Sequence, residues 1–99
     1  MDRDQVITTL RMHVSELKAV GVVRVSLFGS VARGDADANS DVDLFAEFDE
    51  VRGPSTLIEM ARLQNRLADL LNVPVDLTEK RLLKGRVLAN AVREAVVVF

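Results

Sequence analysis

Asp41 and Asp43 stand two residues apart in DVDLFAEF, a stretch whose apolar residues alternate. On a β-strand, residues two apart leave the same face, with Cα atoms about 6.6 Å apart at roughly 3.3 Å rise per residue. Two carboxylates so placed can lean together and chelate a cation. Carboxylate oxygens with open positions suit Mg²⁺, which keeps waters and takes its other ligands from a substrate phosphate. A third carboxylate, Asp76, lies in the strand-like stretch VPVDLT, again opposite the apolar residues. If the two strands are neighbours, three carboxylates converge from one sheet surface. Like charges so crowded raise one another's pKa and destabilise a fold. The grouping therefore calls for a positive charge from outside.

Upstream, Gly29-Ser30 sits where VVRVSLF gives way to SVAR, a strand-to-helix turn. Glycine lets a phosphate approach the backbone. Free N–H groups of the turn and the Ser30 hydroxyl make an anion cradle. One loop would hold phosphate while the next strand holds the metal that bridges to it. That is the layout for nucleotidyl transfer. One metal grips the triphosphate and stabilises departing pyrophosphate; a second lowers the pKa of an attacking hydroxyl. A calcium loop is the rival reading of DADANSDVDLFAE, with Asp35, Asp37 and Asn39 as its first ligands. It fails at Ser40, where the turn wants Gly, and at Ala46, where a bidentate Glu is required. Those three residues read as turn formers. The RGD at 33–35 reads as a chance match.

The positioning elements follow from periodicity. Residues 2–19 predict a helix on Val6, Leu10, Val14 and Leu17, widened by Ile7, with Gly21 just past its end. His13 falls beside that stripe as a packed or half-exposed helix residue. Residues 22–28 predict a strand with Val23, Val25 and Leu27 on one face. SVAR makes a short helical turn closed by Gly34, and DADANS is a polar loop. In residues 41–48, Val42, Leu44, Ala46 and Phe48 point one way; Asp41, Asp43, Phe45 and Glu47 point the other. Phe45 implies that the acidic face is partly covered. Residues 55–71 predict a helix with an apolar face of Leu57, Met60, Ala61, Leu67, Ala68 and Leu71, capped by Ser55 or Thr56 and leaving at Asn72. VPVDLT is a short strand. Residues 79–92 predict a helix, although Gly85 in its middle costs about 1 kcal/mol against Ala. The closing AVVVF is either a last buried strand or a surface for a partner. The order α-β-(α)-β-α-β-α-β is an α/β arrangement, helices on a small sheet.

The chain has 99 residues, 48% of them apolar, which suits a single domain over residues 1–99 with one modest core. A net charge of −2 argues against a general nucleic-acid coat, so no direct nucleic-acid binding is expected. With no cysteine there is neither a disulfide frame nor a zinc–thiolate site. The charged N-terminus lacks the apolar core of a signal peptide, and no run approaches the roughly 18 apolar residues of a membrane span. A cytoplasmic protein is expected.

Gly29-Ser30, ten residues, then Asp41-Val42-Asp43 reproduces G-S-x₁₀-D-x-D. This resembles the signature of the nucleotidyltransferase superfamily related to DNA polymerase β. GSVARGDADANSDVDL and the later VPVDL are similar to its minimal nucleotidyltransferase (MNT) branch, over nearly the whole chain. The resemblance implies a small mixed sheet of the nucleotidyltransferase fold. It implies that Gly29 and Ser30 contact nucleotide phosphates, and that Asp41, Asp43 and Asp76 bind Mg²⁺ in a two-ion site. Asp76 would also help deprotonate the acceptor. Arg33 would touch phosphate or else pack the loop. Lys80, Arg81, Lys84 and Arg86 could add phosphate contacts, though a solvated helix face is the simpler reading. Minimal proteins of this kind are typically antitoxins paired with HEPN-domain ribonuclease toxins, in homo- or hetero-oligomers, and transfer AMP from ATP onto a toxin tyrosine. This chain has no tyrosine of its own to accept AMP. The alternatives are an antitoxin that works by occluding the toxin and, further off, a transferase for a small hydroxylated molecule.

Overall fold

The computed structural model describes residues 1–99. Helices α1 (Arg3–Met12) and α2 (Val14–Ala19) lead into strand β1 (Val22–Phe28), and the short helix α3 (Gly29–Arg33) follows at once. Strand β2 (Val42–Phe48), helix α4 (Leu57–Leu71) and strand β3 (Val75–Glu79) come next. A 3₁₀ turn (Lys80–Leu82), helix α5 (Gly85–Glu94) and strand β4 (Val96–Val97) complete the chain. The four strands form one mixed sheet in the order β3-β2-β1-β4. β1 runs antiparallel to both β2 and β4, while β2 and β3 run parallel through the α4 crossover. No helix is long and apolar enough to cross a membrane.

One sheet face carries the main core. Val25 and Leu27 of β1, Val42, Leu44 and Ala46 of β2, and Val75 and Leu77 of β3 are buried there. Val6, Leu10 and Leu17 from the first two helices and Leu63, Leu67 and Leu71 from α4 join the same cluster. The other face is only partly covered. α5 packs on α3 and β1, and Phe45, 4% exposed, and Ala91 of α5 are buried apart from the main core. The Phe28 and Phe45 rings stand 5.5 Å apart on this side.

Several expectations shift. The first helix breaks at His13, which closes α1 and opens α2 with φ −112° and ψ 18°, its N–H bonded to Leu10 O at 3.0 Å. That 3₁₀-type tightening turns the chain without Gly or Pro. Val23 is 55% exposed rather than facing inward with Val25. The β1–β2 register slips between Val22 and Arg24, and a bulge reverses the alternation there. On α4, Leu57 is 89% exposed and Ala61 is exposed too; Leu63 takes the inner position, and Thr56 caps the helix through Glu59 N–H. Leu57 is the first residue of α4 and lies outside the core cluster. The helix predicted over 79–92 begins at Gly85, after a separate 3₁₀ turn, because glycine is a poor interior residue and a tolerable boundary. AVVVF is taken into the fold: β4 pairs with Ser26 and Leu27, and Val98 is fully buried.

Leu44→Ala should cost about 2–5 kcal/mol, the usual range for emptying a core leucine site. Leu57→Ala should stay within about 0.5 kcal/mol of native. Urea unfolding midpoints of the two variants check this pair.

Candidate active site

The parallel register of β2 and β3 sets Asp43 opposite Asp76. Neighbouring strands lie about 4.8 Å apart, so partners in register project side by side from one face. That face is the one opposite the main core, since Val42 and Leu44 on β2, and Val75 and Leu77 on β3, all point inward. Asp41 immediately precedes β2, two residues from Asp43, and is exposed; Asp43 is half-buried and Asp76 exposed. Asp43 and Asp76 thus share one sheet surface, with Asp41 at its entrance. As their side chains stand, no three acidic or imidazole groups close tightly enough to cage an ion.

The Gly29–Ser30 turn is next to them. β1 ends at Phe28, which pairs with Asp43, and the chain turns directly into α3. Gly29 has φ +74°, a left-handed conformation, and a Cβ built on it would collide with Asp43 Oδ2. The left-handed backbone calls for glycine, and the Asp43 carboxylate fills the space a Cβ would take. No side chain caps the start of α3, and the Ser30 hydroxyl has no hydrogen-bond partner within the chain. Gly34 closes α3 in the left-handed region at φ +82°. Asp37 Oδ1 accepts from Asn39 N–H at 2.8 Å, the side-chain turn expected of this loop.

Arg33 serves as a tie. Its Nε donates to Asp35 Oδ2 at 3.2 Å and its Nη1 to both Glu94 oxygens at 3.1 Å, which joins α3 to α5. Of its two expected roles, packing is the one visible in these contacts, while Nη2 carries no bond to the chain. The basic run is divided: Lys80 pairs with Glu47 at 3.9 Å and Arg81 with Glu79 at 2.6 Å, while Lys84 and Arg86 are exposed without ion pairs. Glu94 and Phe28 have parts at this site that sequence reasoning missed. Phe28 could have been found by alternation from Leu27; Glu94 gave no local signal.

No ion pair reaches Asp41, Asp43 or Asp76. Burial pushes the Asp43 carboxyl above its ordinary range; Asp76 and then Asp41 add to the push, and Arg33 offsets part of it. An acid whose pKa is raised by folding binds more protons folded than unfolded. Stability therefore falls as pH rises from its ordinary value through its raised one. Hard, half-hydrated, uncompensated oxygens beside a turn kept clear of any Cβ fit a divalent cation such as Mg²⁺. Asp43→Asn should raise the Tm of the metal-free protein by a few degrees at pH 7. The gap should shrink as pH falls towards about 4, near the ordinary carboxylate range. Thermal unfolding followed by circular dichroism across that range checks it.

Comparison with known proteins gives this geometry its family. The nucleotidyltransferase domain family matches residues 7–98. A protein adenylyltransferase, MntA, of Thermococcus cleftensis is 36% identical, covering 96% of this chain and 94% of its own. A solved structure assigned as a minimal nucleotidyltransferase superposes with a TM-score of 0.73 at 42% identity, covering 97% of this chain and 95% of that one. Two toxin–antitoxin structures share the fold across 100% of this chain. One, with AMP-PNP, has a TM-score of 0.70 at 24% identity over 73% of the matched chain. The other, a tri-AMPylated Shewanella oneidensis HEPN toxin with its MNT antitoxin, has 0.65 at 19% over 72%. The chain belongs to the nucleotidyltransferase domain family, in its minimal, protein-adenylyltransferase branch, and is a nucleotidyltransferase.

Proposed function

We propose that the protein is a cytoplasmic antitoxin that transfers AMP from ATP, with Mg²⁺, onto a tyrosine hydroxyl of a HEPN-type toxin. The observation that carries this reading is the pairing of Asp43 with Asp76 beside the Gly29–Ser30 turn. Support for donor and partner comes from the adenylyltransferase relative, the AMP-PNP complex and the AMPylated HEPN toxin.

Gly29 lets the triphosphate lie against the backbone, and the Ser30 hydroxyl and the first N–H groups of α3 donate to its oxygens. Arg33 Nη2 adds a donor there. Asp41, Asp43 and Asp76 would hold Mg²⁺, which would offset the charge of the triphosphate and of departing pyrophosphate. Asp76, exposed at the edge strand, takes the proton of the incoming hydroxyl. The hydroxyl oxygen bonds to the α-phosphorus as the bond to the β-phosphate bridging oxygen breaks, giving an AMP ester, pyrophosphate and one proton. The site is an open sheet face, not a deep cavity. A groove of about 440 Å³ lies elsewhere, between α2, the β2–α4 loop and α4. An open face suits a folded protein as acceptor better than a small molecule needing enclosure.

A second reading, neutralisation by occlusion, draws on the exposed Leu82, Val87 and Val92 along the 3₁₀ turn and α5. One experiment separates the two. Native protein, Mg²⁺ and labelled ATP should label the cognate toxin, and chelation by EDTA should stop it. An Asp41→Asn, Asp43→Asn double variant should lose more than the ~10–100-fold that loss of an outer-shell partner costs a metal enzyme. It should also fail to rescue growth at matched expression. Full rescue by the double variant would favour occlusion, and no label from native protein that binds its toxin would end the enzymatic reading.

A further inference from the structure

Three carboxylates that pair with no Lys or Arg of the chain stand beside a guanidinium bonded elsewhere. Arg33 stands one turn of α3 after Gly29, whose Cα abuts the Asp43 carboxylate, yet it forms no ion pair with Asp41, Asp43 or Asp76. Its bonds go to Asp35 and Glu94. Left alone, an arginine near several uncompensated carboxylates gains most by a bidentate pair with one of them. Such a pair would neutralise the cluster from within and occupy the oxygens that a cation needs.

Two groups oppose that collapse, unequally. The Asp35 side chain is 61% exposed and sits two residues from Arg33 in a polar loop. An ion pair that wet contributes little. The Glu94 side chain is 23% exposed, accepts with both oxygens, and is fixed on the last residue of α5. α5 is in turn anchored by buried Ala91 and by β4, which follows it into the sheet. Glu94 therefore holds the guanidinium from a rigid element.

We propose that Glu94 is a positioning residue: by clamping Arg33 from α5, it keeps the guanidinium off Asp43 and leaves the three carboxylates open to a divalent cation. This rests on reading those carboxylates as the metal site. It gives α5, which supplies no group to the chemistry, a part in setting metal affinity.

The test uses Mn²⁺ alone, titrated into the full chain without nucleotide and followed by the loss of the free-ion electron paramagnetic resonance signal. Native protein should bind and Asp43→Asn should not. Glu94→Ala should weaken Mn²⁺ binding about tenfold, the scale for losing an outer-shell partner. Glu94→Gln keeps the shape, serves if the alanine variant misfolds, and should weaken binding less. The deciding arm is the Arg33→Ala, Glu94→Ala double variant, which has no guanidinium left to collapse. It should return to within about twofold of native, a rescue that loss of helix packing would not produce. Native affinity in both Glu94 variants, or a double variant as weak as the single, overturns the clamp and leaves the metal reading intact. A native protein that takes up no Mn²⁺ overturns both.

Discussion

The pairing of β2 with β3 is the constraint on which the rest depends. Side-chain direction in a strand has a period of two, so a one-residue slip would send Asp76 into the core and Leu77 into water. The register is locked by Val75 and Leu77 on β3 against Val42, Leu44 and the leucines of α4. Gln64 of α4 adds a second lock: its Oε1 accepts from Leu77 N–H at 2.9 Å, tying the edge strand to the crossover helix that delivers it. Burying apolar residues on one face is thus what aligns carboxylates on the other. The hydrophobic effect supplies the free energy, and the aspartates take their placement from it.

That placement has an electrostatic cost in the free protein. Asp43 is half-buried among like charges, and the cation nearest to it, Arg33, is engaged elsewhere, with Asp35 and Glu94. A fold optimised for stability alone would have turned that guanidinium onto the cluster. An uncompensated cluster, a glycine where a Cβ would strike Asp43 and an unpaired serine hydroxyl are the features on which the proposed cation and phosphate binding rests.

What could be read from the sequence was local. Alternation in DVDLFAEF placed Asp41 and Asp43 on one face, the bounds of β1 followed from its flanking glycines, and Ser55 or Thr56 and Asn72 marked the ends of α4. What could not be read was set by distant partners. The bulge that turns Val23 outward depends on the register against β2. The exposure of Leu57 depends on which turns of α4 reach the core. The convergence of Asp76 with Asp43 required knowing that β3 is a neighbour of β2, which periodicity never states. Glu94 lies 61 residues from Arg33, and nothing in either flanking segment announces the other. The break at His13 had no glycine or proline to signal it.

Crystals grown with Mn²⁺ and a non-hydrolysable ATP analogue, with the metal located by anomalous scattering, test the central claim most directly. A peak bounded by the carboxylates of Asp43 and Asp76, with the phosphates lying over Gly29 and Ser30, is the predicted outcome. A metal held away from Asp43, or one to which β3 contributes nothing, would contradict it.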